Sequence, residues 1–540
     1  MQVFFYTGLR KMVEGVGSVM KQYELFQIRM TGSVMSEDYV NVPVKAEFTL
    51  GGKTTEVKGF YIGENTFAVR FLPMETGLCT YRIEFPGQDG QVENITGREE
   101  VLPAEPGVHG PVQAKGVSFF YADGSRYLPF GTTVYALPAQ PAERIEETLE
   151  TLEKAPFNKL RLCVFPKYFD FNREEPELFP FERGEGERKW NVRRPCPAFW
   201  DRLDGILSRL NDAGIEADLI LFHPYDCWGF AELSVEEAKT YLEYAVRRLS
   251  AYPNLWWSLA NEYDQMEYTE DEWKEFAAFI RERDVYGHLL SNHNFVRLWD
   301  FSDVSTTHCC MQSAEAVKIP GLLKKYKKPV VYDEVGYEGN IPYNWGNLSA
   351  FEEVNRFWKI FCYGGYATHG ETYMEKMDES QVLWWGKGGT LKGESPVRIA
   401  FLKELAYSMP GTLTLYEPEN RAIPDTQEEL RRLAETDTEG ASDNPIIRCM
   451  CRMTPEEFEH MKEYMTQPVL HYEDEVFLTY FGDACTICGM LDLPEDGKYR
   501  IDVIDVWEMT RKTVMEEAGG AVQVPLPGKP GMAVLAVKTE

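Results

Sequence analysis

Leu255-Trp256-Trp257-Ser258-Leu259-Ala260-Asn261-Glu262 is an apolar run of strand character that stops on an amide and a carboxylate. Val330-Val331-Tyr332-Asp333-Glu334 repeats the pattern further along the chain. Desolvating a carboxylate at the end of a buried strand is costly, so something must hold each one there. Two such endings suggest a pair converging on one site. A pair of carboxylates is the minimum equipment for cleaving a glycosidic bond.

Around these two runs, from about residue 115 to 408, short β-rich stretches alternate with amphipathic helical patterns. That alternation argues for βα units around a parallel sheet. The expected strands are Tyr127–Tyr135, Lys159–Phe165, Glu216–His223, Leu255–Glu262, His288–Asn294, Asp303–His308, Pro329–Glu334 and Gly364–Glu371. Helical patterns between them include Ala142–Lys154, Phe199–Ala213, Ser234–Tyr252, Asp271–Arg283 and Leu348–Phe361. Eight units match a (β/α)8 TIM barrel, whose function sits at the C-terminal ends of the strands. The polar residues expected there are Arg161, His223, Asn261, Glu262, His293, Asn294, His308, Glu334, His369 and Glu371. Four of the eight histidines fall at these ends, as a polar site at the barrel mouth requires.

The flanks read differently. Val42–Leu50, Thr66–Phe71 and Thr80–Phe85 alternate polar and apolar residues between Gly and Pro turns, and Pro103–Gly107 reads as a linker. After an acidic helical stretch at Gln427–Glu439, short strands recur at Val476–Tyr480, Cys485–Leu491, Tyr499–Val506, Ala521–Val524 and Met532–Val537. The expected fold class is therefore α/β. A central TIM barrel at 106–410 is flanked by antiparallel β-sandwiches at 21–105 and 411–540, with residues 1–20 as an N-terminal tail.

A net charge of −30 argues against nucleic acid and anionic membranes as partners, since both need basic patches. No run approaches the ~18 apolar residues of a transmembrane helix. Near the N-terminus, apolar Val3-Phe4-Phe5-Tyr6 precedes Arg10 and Lys11, the reverse of a secretory signal. The eleven cysteines are odd in number and follow no framework, which suggests reduced thiols and a cytoplasmic location. Oligomeric state is left open.

Asn-Glu closing the fourth barrel strand and Glu closing the seventh resemble the signature of clan A glycoside hydrolases. More closely, the chain resembles apiosidase-related bacterial glycosidases that carry an N-terminal and a C-terminal β-sandwich of unknown function. The stretches that carry the resemblance include Arg70-Phe71-Leu72-Pro73, Leu221-Phe222-His223-Pro224-Tyr225-Asp226, Asp333-Glu334-Val335-Gly336-Tyr337-Glu338-Gly339-Asn340, His369-Gly370-Glu371-Thr372-Tyr373 and Trp384-Trp385-Gly386-Lys387-Gly388-Gly389. The resemblance implies retention of configuration, with Glu334 as nucleophile and Glu262 as acid/base. Asn261 would donate to the hydroxyl beside the anomeric centre.

Such a mechanism needs one carboxylate ionised and the other protonated. Arg161 is the expected cation beside Glu334, since its charge would hold a carboxylate's pKa down. His223, His293, His308 and His369 are candidates for orienting carboxylates or binding sugar hydroxyls. Glu371 is a rival carboxylate, whereas Asp333 should face the other side of its strand. Trp228, Trp345, Trp384, Trp385, Tyr263 and Tyr337 are candidate sugar-stacking walls, with Trp385 and Tyr337 foremost. No cofactor and no metal is expected, since no His-Glu-x-x-His spacing occurs. Cys449-x-Cys451 and Cys485-x-x-Cys488, expected in two strands, read as ordinary thiols rather than a four-thiolate zinc site. The function expected is retaining, exo-acting hydrolysis of small oligosaccharides or plant-type glycosides. The alternatives are a non-catalytic carbohydrate-binding protein on a barrel scaffold and a transglycosidase using the same residues.

Overall fold

The computed structural model describes residues 19–34, 36–184, 190–375, 383–417, 424, 426–436 and 444–539. Most of the expected tail lies outside these residues. The chain divides into two units. The first comprises Met1–Ser313, Tyr326–Glu353 and Ala367–Val397, and the second Ala314–Lys325, Val354–Tyr366 and Arg398–Glu540.

Eight parallel strands form the barrel of the first unit. They are Gly131–Thr133, Lys159–Cys163, Glu216–Phe222, Leu255–Ala260, Leu289–Ser291, Cys309–Gln312, Val330–Glu334 and Tyr366–His369, and are called strands one to eight below. They are hydrogen-bonded in the order five, four, three, two, one, eight, seven, six. Bonds from Thr307 N to Leu290 O (2.8 Å) and from Ser291 Oγ to His308 O (2.7 Å) nearly close the ring between strands five and six. Strands two, three and four are buried at every position, although strands two and three carry Lys159, Arg161, Glu216 and Asp218. The intervening helices start where the sequence can cap them. Ser234 with Glu237, and Thr269 with Glu272, form reciprocal capping boxes.

The sixth strand corrects the sequence reading. Asp303–His308 is not a strand. The Asp303 side chain accepts from Ser305 N at 2.7 Å and its carbonyl from Thr306 N at 3.2 Å, a local turn that competes with extended structure. The strand begins one residue later, at Cys309, so His308 sits at the N-terminal end of the barrel. There the hairpin strands Val112–Lys115 and Ser118–Tyr121 cover the barrel floor, and Phe119 packs against Trp256 (5.2 Å) and His308 (5.7 Å).

Upstream of the barrel, two sheets enclose a core that includes Phe48 stacked on Phe71 at 4.3 Å, with Phe67, Val69, Cys79 and Ile83. Met20–Lys21 pairs with Val101–Leu102 in parallel, so Met20, expected in the tail, belongs to this sheet and is buried. This sandwich docks on the barrel helices through charge. Arg70 makes a two-pronged bond to Asp204 (2.8 and 2.6 Å), and Arg248 meets the same carboxylate at 2.7 Å. All three side chains are buried.

In the second unit, six strands lie in the order Thr414–Leu415, Leu470–Tyr472, Val476–Tyr480, Met532–Lys538, Tyr499–Asp505, Thr510–Ala518, and Cys488–Asp492 pairs with Ala521–Pro525. Their core centres on Phe477, Tyr499, Ile501 and Val534. Helices Gln427–Thr436, Pro445–Met450 and Pro455–Met465 also belong to this unit. Cys449 therefore lies in a helix with Cys451 at its end, not in a strand, and Cys485 lies in a loop before the strand that Cys488 begins.

Replacing Asp204 by Ala removes the carboxylate that pairs buried Arg70 and leaves Arg248 with Asp201. Removing one partner of a buried ion pair costs about 3–5 kcal/mol. Asp204→Ala is expected to lose that much against denaturant, while Glu64→Ala at an exposed turn position changes little.

Candidate active site

Strand four runs to Ala260, and the chain then turns sharply. Glu262 takes φ 57° and ψ 55°, a left-handed conformation that non-glycine residues rarely adopt. Bonds from Asn261 N to Phe222 O (2.9 Å) and from Tyr263 N to His293 O (2.9 Å) hold the turn from both sides. Such a conformation persists only where the surroundings over-determine it, and it clusters at functional sites.

The Glu262 carboxyl is 4 % exposed and amply hydrogen-bonded. Tyr225 Oη and Gln265 Nε2 (2.6 Å) donate to its Oε2. Gln312 satisfies its neighbours with its amide nitrogen toward the site, where it donates to Glu262 Oε1 at 3.0 Å. Gln312 is paired in register with Glu334 across a bulge between strands six and seven. Glu334 is half-buried and accepts from Tyr135 Oη. Burial first, and then the negative charge of Glu334, push the Glu262 pKa up to about 7.

The other expected residues fall in five places. Asn261, His223 and His293 are buried around the acid. His223 Nε2 faces Phe165 O at 3.2 Å, and Glu262 N donates to His293 Nδ1 at 3.4 Å. Burial lowers the His223 pKa to about 4 and that of His293 well below the ordinary value, so both rings are neutral. Neither amide atom of Asn261 meets a hydrogen-bond partner among the described residues. Tyr337 and Trp385 join an aromatic wall with Tyr135, Phe169 and Trp345. Trp385 lies 5.8 Å from Tyr135 and 5.1 Å from Trp345, and Tyr337 lies 6.0 Å from Trp345.

Arg161 lies one layer below. Its Nε is 3.5 Å from Asp218, and the guanidinium makes no hydrogen bond to a described residue. The donor that meets Glu334 is Tyr135. Asp333, expected on the other side of its strand from Glu334, also points into the barrel across the bulge and belongs to this lower layer. It takes Lys159 Nζ, Thr368 Oγ1 (2.7 Å) and Cys310 Sγ (2.9 Å), and these charges hold it strongly ionised.

His369 and Glu371 turn away from the acid. His369 Nδ1 meets Thr132 Oγ1 at 3.0 Å, and its ring stacks on Phe157 at 4.6 Å. Glu371 accepts from Lys392 N (2.5 Å) and Gly393 N (2.8 Å), while Glu338 accepts from Glu394 N (2.8 Å) and Ser395 N (3.0 Å). His369, Glu371 and Glu338 bring one ligand-type atom each within 4.8 Å of one another. Their arrangement secures the loop that leads away from Trp385. Residues that hold backbone amides in this way carry no strand-end signature beyond their charge. His308, at the opposite end of the barrel, is removed from the mouth altogether.

Three residues of the site were missed in the sequence: Tyr135, Tyr225 and Lys167. Lys167 is 5 % exposed, with its ammonium over the rings of Tyr135 (3.7 Å), Tyr225 (4.4 Å) and Trp385 (5.2 Å). Lys167 also lines an open cleft with Gln140, Asn172, Glu174 and Trp228. Tyr225 could have been found from its place directly after the third strand. Tyr135, the last residue of the first expected strand, and Lys167, two residues past the second, carried the same strand-end signal.

With this geometry in hand, comparison with known proteins is informative. Residues 114–389, just over half of the chain, match the model of the apiosidase-like catalytic domain. Residues 19–86 and 465–536 match two domains of unknown function, DUF5060 and DUF5605. The chain belongs to the apiosidase-like catalytic-domain family. A candidate glycoside hydrolase from Bacteroides vulgatus ATCC 8482 is 29% identical, with a TM-score of 0.82 over 97% of this chain and 100% of that one. A family 5 glycoside hydrolase from the same bacterium shares the fold at 14% identity, with a TM-score of 0.57 over 80% and 95% of the two chains. No curated protein matches.

Tyr225 donates to the ionised form of Glu262 and so lowers its pKa. Tyr225→Phe is therefore expected to raise the Glu262 titration above about 7. Infrared titration of the carboxyl band, with Glu262→Gln as the reference, measures the shift.

Proposed function

We propose that the protein is a retaining, exo-acting glycosidase of small oligosaccharides or plant-type glycosides, with Glu334 as nucleophile and Glu262 as acid/base. The observation that carries this reading is the environment of Glu262. Burial and the neighbouring Glu334 carboxylate favour its protonated form up to about pH 7. A protonated carboxyl facing a second carboxylate is the division of labour a double displacement needs.

In the first step a Glu334 oxygen attacks the anomeric carbon as the glycosidic C–O bond breaks, and the Glu262 proton passes to the leaving oxygen. In the second, Glu262, now ionised, takes a proton from water as that water displaces Glu334. Asn261, with its amide unmatched among the described residues, is the donor for the hydroxyl beside the anomeric carbon. The wall of Tyr337, Trp345 and Trp385 suits the C–H face of one sugar ring. The depth of Glu262 supports attack at a chain end rather than within a long polymer.

No disulfide joins the cysteines among the described residues. That supports a reducing compartment and hence the cytoplasm. No helix of the described residues is long and apolar enough to cross a membrane.

A panel of aryl pyranosides and furanosides tests the proposal. Glu334→Ala is expected to be inactive, and added azide to return a glycosyl azide of inverted configuration. Glu262→Gln is expected to lose about 10²–10⁴-fold on poor leaving groups and far less on activated ones. Wild-type activity should fall above about pH 7, as Glu262 loses the proton it must donate. Full activity in Glu334→Ala overturns the assignment.

A further inference from the structure

Lys167 is a cation buried in the catalytic pocket, away from any carboxylate at ion-pair distance among the described residues. Its ammonium lies on the faces of two phenol rings at once, Tyr135 at 3.7 Å and Tyr225 at 4.4 Å. The hydroxyl of the first ring donates to Glu334 and that of the second to Glu262. One positive charge is thus placed symmetrically behind the two groups that grip the two carboxylates. Burial lowers the pKa of the ammonium below the ordinary lysine value, and the fields of Glu334 and Glu262 oppose that shift by favouring its charged form.

We propose that Lys167 is the fixed counter-ion of the carboxylate pair, balancing in turn the charge on Glu334 and the charge on Glu262. This rests on the two-carboxylate reading above. In that reaction the pair carries one negative charge at every stage. Before attack it is on Glu334. Once the Glu334–sugar bond has formed and the proton has left with the aglycone, it is on Glu262. Deglycosylation returns the proton to Glu262 and the charge to Glu334. A stationary cation within reach of both sites spares the pocket from holding an uncompensated charge at either stage, and no ion has to enter or leave. Fixed charges of this kind need no reorganisation as the reaction proceeds.

The other groups facing Lys167 leave it this role. Burial pushes the Cys163 thiol up to about 12, and the Tyr135 and Tyr225 phenols are also raised, so all three are neutral. His223 and His293 are neutral for the opposite reason. The Arg161 charge is answered in the lower layer, where Lys159 and Arg161 face Asp218 and Asp333. Glu174 and Glu175 line the outer cleft, where Glu174 meets Lys387 at 3.2 Å and Trp228 Nε1 donates to Glu175 at 2.8 Å. The pocket is therefore balanced when the substrate is neutral. A sugar bearing its own carboxylate would add an unanswered negative charge, so the inference assigns the enzyme to uncharged glycosides.

Lys167→Met keeps the length and apolar character of the stem and removes the charge. With an aryl glycoside that the wild type turns over, both limbs of its kcat/KM profile should move to higher pH by about one unit or more, since each carboxyl loses an opposite charge. Lys167→Arg should return the limbs toward their wild-type positions, even at a lower rate. Infrared titration of Glu262 without substrate should show the same displacement, and Lys167→Gln serves for both readings if the Met variant does not fold. An unmoved profile with reduced amplitude, or a rise in KM alone, overturns the inference and makes Lys167 a packing or sugar-binding group. So does turnover of an aryl uronide faster than its uncharged parent. Retained activity in Glu334→Ala instead overturns the underlying two-carboxylate reading, whatever the Lys167 variants do.

Discussion

Two carboxylates share one desolvated barrel mouth, and most of what surrounds them answers the cost of that arrangement. Like charges this close in a medium poorer than water cannot both be ionised cheaply. The Glu262 proton is one answer, favoured by burial and by Glu334. Tyr135 and Tyr225 are another, each donating to one carboxylate. The left-handed turn at Glu262 is part of the same arrangement. It aims a side chain back toward strand seven that an extended continuation of strand four would carry elsewhere.

Beneath the mouth, Lys159, Arg161, Asp218 and Asp333 form a second charged layer that is balanced within itself. Buried ion pairs contribute little net stability compared with apolar packing, but removing one partner is costly. This layer keeps cations inside the barrel without committing them to the catalytic pair. It also explains why Arg161, on the expected strand, is not the group that touches Glu334. The guanidinium is drawn downward by Asp218, and the mouth is left to Lys167 and the phenols.

The loops after strands seven and eight carry the sugar-facing wall, and they are held from behind. Glu338 and Glu371 accept four backbone N–H groups of residues 392–395, so the segment leaving Trp385 is anchored by buried carboxyls. Burial raises the Glu371 pKa to about 7, against the opposing effect of the Lys392 and Gly393 amides that it holds. Asp264 does a similar job near Glu262, accepting from the backbone of Phe295, Val296 and Arg297.

Periodicity and strand endings are local properties, and the sequence alone carried them. The barrel, its flanking sheets and the strand-end positions of Glu262 and Glu334 follow from apolar runs that stop on polar residues. The sixth strand was misplaced because Asp303 turns the chain by side-chain bonding, while Cys309-Cys310-Met311 is too short to signal a strand. Helix Pro455–Met465 was missed although its Thr454–Glu457 capping box stands in the sequence. What no local pattern could decide is which distant residues meet. Tyr135, Tyr225 and Lys167 reach the carboxylates from the ends of three different strands, and Arg161 is turned away by a partner on a neighbouring strand. The sequence determined where the two carboxylates stand along the chain. Only the closure of the barrel decided their partners and protonation, because burial and through-space charge act between groups that the chain itself keeps far apart.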